Sequence, residues 1–438
     1  MKNYDPRNER GERLISDKDL ETQWLSNAYA RKKKHREYLY ELWYDKLDYE
    51  YAEKYLENAQ GGGFSCTSVR KGNFYGRNFD WTYNRQAEFV IHTQANYGLH
   101  ATVGVADSIT GLSEEYTSKS LFSNMFRIVP FYIVDGINDA GVVMNSNVVP
   151  VVQKINEWDE TYFPNKVITP NGEVTETLCT MMLIRFVLDN FSSAQEAVEH
   201  LKEHTKIYQF EKLFQMGYEL HYMIADAEKT YILEFVDGKL VAKEGDKDAG
   251  MCMTNFHLHV NTLKDDGTPQ EIIFNEDGTV CTPYTAHSEG KRPTEVNGIE
   301  NHGSGLERYN IFAKNISSVT DEASMQELMK SLFYTKSYTI GRENEEDDEY
   351  DSERWFTEFV GDYSKSQVVE IPHKDIIVDD FDDLKLVSDW AYQHLFLPRT
   401  RDDGATWHTT HSVVYDIENR SIKMMFQEDA ENPIEFQI

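Results

Sequence analysis

Three residues whose types could do chemistry stand close together in the stretch GGGFSCTSVRKGNFYGRNFDW, Gly61 to Trp81: Cys66, Arg77 and Asp80. A thiol attacks carbonyl carbon as its thiolate; its ordinary pKa is about 8.5, and a neighbouring guanidinium favours the charged form. Lys71-Gly72 is a turn signal, so a tight hairpin would bring Arg77 and Asp80 back beside Cys66. A second route to activation opens if the chain is cut before Cys66. The new α-amine, with a pKa of about 8, can take the thiol proton without a histidine, and Asp80 can hold that amine by a charge-assisted hydrogen bond. Residue type alone favours a plainer reading, in which Cys66 is a small buried hydrophobe and Arg77 with Asp80 a structural ion pair.

The elements that must position these residues show two textures. Residues 17–58 read as helix, capped by Ser16, with Leu20, Trp24, Leu25, Leu39, Leu42, Trp43, Leu47, Tyr51 and Leu56 at roughly helical spacing. The basic run RKKKHR, Arg31 to Arg36, interrupts that pattern, and Gly61, Gly62 and Gly63 end it. From Cys66 on, NFYGRNF, EFVIHTQ, HATVGVA, RIVPFYIVDG and GVVMNSNVV read as strands. Helices are expected at Thr175 to Asn190, at Ala194 to His204 behind a Ser192 or Ser193 cap, at Leu306 to Ile316 and at Asp321 to Leu332. A strand series turns at Asp226 to Lys229 and at Asp237-Gly238, and a hairpin turning near Glu418-Asn419 closes the chain. Strands and helix pairs come in blocks without strict alternation, which implies a layered α+β fold with antiparallel sheets. The acidic run Glu343 to Glu353 reads as a solvated insertion.

The 438 residues carry 44 basic and 75 acidic side chains, a formal net charge of -31. Such a surface repels phosphate backbones and anionic headgroups, so neither nucleic acid nor membrane is an expected partner. Cys66, Cys179, Cys252 and Cys281 form no CxxC pair and no disulfide framework, and reduced thiols in a cytoplasmic protein are the simplest reading. The amino terminus has no apolar signal segment, and no later apolar run is long enough to span a bilayer. No metal or other cofactor is expected.

FSCTSV followed by NFYGRNFDW resembles the nucleophile region of the choloylglycine hydrolase and penicillin V acylase family, the linear amide C-N hydrolases among the N-terminal-nucleophile hydrolases. Three further segments resemble that family's motifs in the same order: VDGINDAGVVMNSNVV, MTNFHLH and GSGLERY. The resemblance implies a four-layer αββα fold with two stacked antiparallel sheets over residues 66–438. It makes Cys66 the nucleophile, freed as a mature amino terminus, with Arg77 and Asp80 from the GRNxD motif beside it. It makes Asn147, with Asn145 as competitor, a residue of the oxyanion hole, Asn255 a second oxyanion or orienting group, and Arg308 a second active-site arginine. Residues 1–65 would be a prosegment, read above as helical and cut at Ser65-Cys66, with Gly61 to Gly63 as its hinge; its length resembles the acid ceramidase and N-acylethanolamine amidase branch.

The implied reaction is hydrolysis of a small-molecule linear N-acyl amide through a Cys66 thioester. Transfer of the acyl group to an amine, and a non-catalytic binding protein on the same scaffold, are the alternatives. NSNVVP stands where bile-salt members carry a Gly-Leu-Asn-Phe-Pro-like run, so bile-salt specificity is not implied. Pocket residues are expected on the loops at Trp81 to Arg85 and Asp107 to Ser123, and family analogy implies a homo-oligomer.

Overall fold

The structure is a computed structural model that describes residues 30–36, 39–44, 47, 49–50, 52, 65–82, 88–95, 98–107, 128–150, 167–208, 218–236, 238–258, 262–263, 269–270, 274–279, 294–296, 299–301, 305–340, 354–360 and 405–438. The first half contains β1 (Ala30–Arg36), β2 (Leu39–Tyr44), β3 (Ser65–Lys71), β4 (Phe74–Thr82), β5 (Glu88–Thr93), β6 (Thr102–Asp107), β7 (Ile133–Asn138), β8 (Val143–Pro150), β9 (Val167–Ile168) and β10 (Glu176–Cys179). Helices α1 (Leu183–Asn190) and α2 (Ala194–Glu203) follow, then β11 (Thr205–Tyr208), β12 (Tyr218–Ala225), β13 (Thr230–Val236), β14 (Lys239–Gly245) and β15 (Met251–Met253). Beyond the short strands β16 (Thr262–Leu263), β17 (Pro269–Gln270), β18 (Thr294–Val296) and β19 (Ile299–Asn301) come α3 (Leu306–Asn315) and α4 (Glu322–Ser331). The chain closes with β20 (Tyr334–Ile340), β21 (Arg354–Val360), β22 (Ala405–Asp416), β23 (Ser421–Met425) and β24 (Ile434–Gln437).

Two large sheets carry the fold. One has nine strands in the order β1-β2-β5-β6-β7-β8-β12-β13-β14; the other has ten, with β15-β3-β4-β22-β20-β21-β18-β19 in a row and β23 and β24 attached through β22. Alternate residues of a strand face opposite sides of its sheet, and the buried apolar residues sort accordingly. Val90, Val103, Ile137, Val143, Met223 and Ile232 of the nine-stranded sheet meet Tyr75, Val413, Tyr415 and Met424 of the other. On the outer face of the first sheet Phe89, Met144, Tyr222 and Leu233 pack with Leu183, Val187 and Leu188 of α1 and with Ala197 and Leu201 of α2. On the outer face of the second, Val69, Val414 and Met425 pack with Phe312 of α3 and with Met325, Leu328 and Met329 of α4. Helices, sheet, sheet and helices make the four layers that the family resemblance implied.

Several elements match their sequence signals. Ser193 caps α2 by accepting from the Glu196 N–H, and Asp321 and Ser324 close a capping box on α4. The series β12-β13-β14 and the β22-β23 hairpin are antiparallel as expected, with β24 added at the end. Two expectations fail. Residues 176–179 of the expected Thr175 to Asn190 helix form β10, paired with β11. More consequentially, residues 30–36 and 39–44 of the expected amino-terminal helix form the antiparallel strands β1 and β2, and β2 lies parallel to β5 in the nine-stranded sheet. Leu39, Leu42, Tyr44 and Ala52 are buried, and among the described residues of this segment Tyr49, Glu50 and Ala52 have helical backbone. A short apolar run fits helical and strand periods alike, and the open edge of β5 decides for strand. Residues 17–29, the Gly61 to Gly63 hinge, the loop positions 83–85 and 108–123, Cys281 and the acidic run Glu343 to Glu353 lie outside the described residues. Among the described residues no helix is long and apolar enough to cross a membrane.

Candidate active site

The β3-β4 hairpin turns tightly after Lys71, with Gly72 at a φ of +57°, a conformation that side chains with a Cβ resist. Its register pairs Cys66 with Phe79, Ser68 with Arg77 and Ser65 with Asp80. Partners across an antiparallel ladder share a face, so Cys66, Ser68, Arg77 and Phe79 face the interior between the sheets. Thr67 and Asp80 face the helical side. The site therefore straddles the start of β3, with the Cys66 main-chain nitrogen at the crossing point.

On the inner face Arg77 Nη2 lies 3.4 Å from Cys66 Sγ and donates to the Ser146 carbonyl at 2.9 Å. Arg77 Nε is 3.3 Å from Asp135 Oδ2 on β7. On the helical face Arg308, in the first turn of α3, joins three groups: Nη1 donates to Thr67 Oγ1 at 2.7 Å and to Asp80 Oδ2 at 3.0 Å, and Nη2 to Asn255 Oδ1 at 2.6 Å. Asn255 Oδ1 also accepts from the Cys66 N–H at 2.8 Å, while its Nδ2 donates to the Val148 carbonyl at 2.7 Å. Thr409 on β22 donates to Asp80 Oδ1 at 2.6 Å and accepts from the Tyr334 N–H at 2.7 Å.

Asn147 sits one layer back. Its Nδ2 donates to the Met253 and Thr254 carbonyls at 3.0 and 3.2 Å, bracing the segment that carries Asn255. Its Oδ1 accepts from Asn145 Nδ2 at 2.9 Å and from Ser68 Oγ at 3.3 Å, and Asn145 Oδ1 accepts from the Tyr75 hydroxyl. Of the six residues singled out by sequence, Cys66, Arg77, Asp80, Asn255 and Arg308 thus converge on one point, and Asn147 supports the cluster without reaching Cys66. Sequence reading passed over Thr67, Thr409 and Asp135. Gly305 was also missed, although it lies in the quoted GSGLERY stretch; its φ is +81°, and a Cβ there would come within 2.7 Å of Arg308 Nη2.

Every member is buried, and burial sets the protonation states. Burial pushes the Cys66 thiol up, outweighing the pull of Arg77 toward thiolate, so the thiol is held neutral. It lifts the Asp80 carboxyl to about 6, with Arg308, Thr409 and Arg77 drawing it back down. Burial works against the Arg77 charge, yet Cys66, Asp135 and Asp80 together raise its pKa further. Cys66 also packs with Phe79 and Val134, and those two residues line a small, mostly apolar cavity with Ser146, Met181, Ile184 and Leu220. Among the described residues, Cys66, Cys179 and Cys252 are in no disulfide. No group of three or more potential metal ligands occurs among the described residues.

Comparison with known proteins adds the following. Residues 64–265 match the family described as linear amide C-N hydrolases, choloylglycine hydrolase family. The matched span contains Cys66, Arg77, Asp80, Asn147 and Asn255 and ends before Arg308. Among solved structures, a mutant of the conjugated bile acid hydrolase from Clostridium perfringens is 12% identical, with a TM-score of 0.39 over 85% of this chain and 92% of that one. Penicillin V acylase from Agrobacterium tumefaciens is 16% identical, with a TM-score of 0.35 over 85% of this chain and 84% of that one. A search of curated proteins found no match. The likeness to the linear amide C-N hydrolases of the choloylglycine hydrolase family thus spans residues 64–265, somewhat under half of the chain.

Proposed function

We propose that the protein is a cysteine amidase that cleaves itself between Ser65 and Cys66 and then hydrolyses a linear N-acyl amide through a Cys66 thioester. The observation that carries this reading is that both ends of one residue are cradled. Cys66 Sγ lies against the Arg77 guanidinium at 3.4 Å, while its main-chain nitrogen is bonded to Asn255 Oδ1 at 2.8 Å beside the Arg308-Asp80 pair. A free amine in place of that amide nitrogen would find an acceptor already in position.

The amine takes the thiol proton, and the thiolate attacks the amide carbonyl. The amine then hands the proton to the leaving nitrogen and activates the water that releases the acid. Arg77 stabilises the sulfur anion, and Asp80, held by Arg308 and Thr409, sets the potential around the amine. Because Asn147 directs its amide at two carbonyls, and Asn255 turns its Oδ1 to the Cys66 nitrogen and its Nδ2 to the Val148 carbonyl, the oxyanion falls to neighbouring main-chain N–H groups, while Asn255 orients the amine and Asn147 holds that segment. One such donor is typically worth about 10²–10³ in rate. The buried neutral thiol suits a precursor that stays inert until cut. Strands β1 and β2, seated in the nine-stranded sheet, would remain with the enzyme after cleavage.

Intact-mass measurement and amino-terminal sequencing of wild type and Cys66→Ala test the proposal. Wild type should yield a fragment beginning at Cys66 and the variant an uncut chain. An uncut wild-type chain that hydrolyses acyl amides would sink the amine mechanism.

A further inference from the structure

A buried chain of charged side chains crosses between the sheets and ends on the guanidinium that touches Cys66. Glu88 opens β5 and Asp135 lies on β7, both in the nine-stranded sheet, whereas His411 lies on β22 of the other. His411 Nδ1 is 2.8 Å from Glu88 Oε2, and His411 Nε2 is 3.4 Å from Asp135 Oδ2. The same Asp135 oxygen is 3.3 Å from Arg77 Nε, and Oδ1 accepts from the Tyr415 hydroxyl. The imidazole stacks on Phe79 with centroids 5.1 Å apart, and the Arg77 guanidinium lies 4.6 Å from the centroid of that same ring. Glu88 is 5% exposed; His411, Asp135 and Arg77 are fully buried.

Charge balance gives this arrangement its meaning. A protonated His411 and Arg77 together face two carboxylates, Glu88 and Asp135. A neutral His411 would leave both carboxylates against one guanidinium, and the surplus negative potential would oppose a thiolate on Cys66. Burial disfavours the imidazolium, but Glu88 and Asp135 outweigh it and raise its pKa. The groups facing this imidazole are Glu88 on β5, Asp135 on β7, Arg77 and Asp80 on β4, and Tyr415 on its own strand.

We propose that His411 is a positioning residue for the nucleophile: clamped as an imidazolium between Glu88 and Asp135, it holds Asp135 on Arg77 Nε and so keeps Arg77 Nη2 turned to the Cys66 sulfur. This role rests on the reading of Cys66 as nucleophile. It gives the amidase a histidine that never touches substrate, set in the second sheet and paired to the first.

The test is the pH dependence of Cys66 alkylation by iodoacetamide, read by peptide mass in the full-length protein as purified. Wild type is compared with two uncharged replacements, His411→Asn and His411→Gln, which leave both carboxylates in place, and Cys66→Ala serves as blank. The midpoint of labelling should move up by about one pH unit in both variants, a loss of about tenfold in labelling at neutral pH. A purely structural role would change labelling equally at every pH and leave the midpoint in place. That result in either variant overturns the proposal even where the other fails to fold. Wild-type Cys66 labelling no faster than Cys179 and Cys252 would instead remove the nucleophile reading, and this role with it.

Discussion

Replacing Arg308 by methionine should expose how the helical face of the site is held. The guanidinium is 1% exposed and donates to Thr67, Asp80 and Asn255 at 2.7, 3.0 and 2.6 Å. Its loss leaves the fully buried Asp80 with the Thr409 hydroxyl alone on its oxygens among the bonds described above. Removing one partner of a buried pair typically costs about 3–5 kcal/mol, because the other charge stays behind without compensation. Arg308 is also the strongest influence holding the Asp80 carboxyl down at about 6, so that pKa must rise further in the variant. An acid whose folded pKa is raised adds stability below its unfolded pKa and loses it as pH rises through the folded one. The variant should therefore lose about 1.4 kcal/mol per pH unit between the ordinary carboxyl value of 3.8 and its new pKa. The deficit relative to wild type should be smallest near pH 5 and largest near pH 8. Urea unfolding at pH 5, 6.5 and 8 reads this directly. Adding Asp80→Asn, which removes the stranded charge, should recover about 2 kcal/mol at pH 8 and flatten the dependence. Additive, pH-independent losses would refute the account of Asp80 as a carboxylate balanced against Arg308.

Other outcomes follow from the same geometry. Gly305→Ala puts a Cβ 2.7 Å from Arg308 Nη2 and 2.8 Å from Thr254 Cβ at a φ of +81°, so chain cleavage should slow by at least about tenfold, the order of one misplaced site group. Gly72→Ala meets nothing within 4 Å at a φ of +57°; it should cost about 1–2 kcal/mol in urea unfolding and leave the cleavage rate unchanged. Leu42→Ala, at a fully buried position of β2, should lower stability by about 2–5 kcal/mol in cut and uncut protein alike, which differential scanning calorimetry would show. Hydrolysis of an acyl amide should rise with pH through about 6, as Asp80 ionises, and an activity already level from pH 5 would count against Asp80 acting as carboxylate.

The pairing of Cys66 with Arg77 was legible because it is local. A turn at Lys71-Gly72 and a period of two suffice to place a residue eleven positions on against the thiol. Cap residues and turn formers are local too, and α2, α4 and the β12-β14 series came out where their signals lay. Motif order added Asn255 and Arg308, which no spacing argument could have joined to Cys66.

What the sequence determined by itself, then, was the chemistry and its short-range frame: a cysteine, a basic neighbour and an acid on one hairpin, in a layered α+β chain with a strongly acidic surface. Tertiary structure decided the rest. Thr409 reaches Asp80 from 329 residues away and His411 reaches Asp135 from 276, contacts set by which strands lie side by side and which faces oppose. It also turned residues 30–36 and 39–44 from an expected helix into strands, with Leu39, Leu42 and Tyr44 buried where β2 closes the edge beside β5. Periodicity describes a segment alone, whereas strand choice, protonation and the role of a buried side chain depend on neighbours that arrive only when the sheets stack.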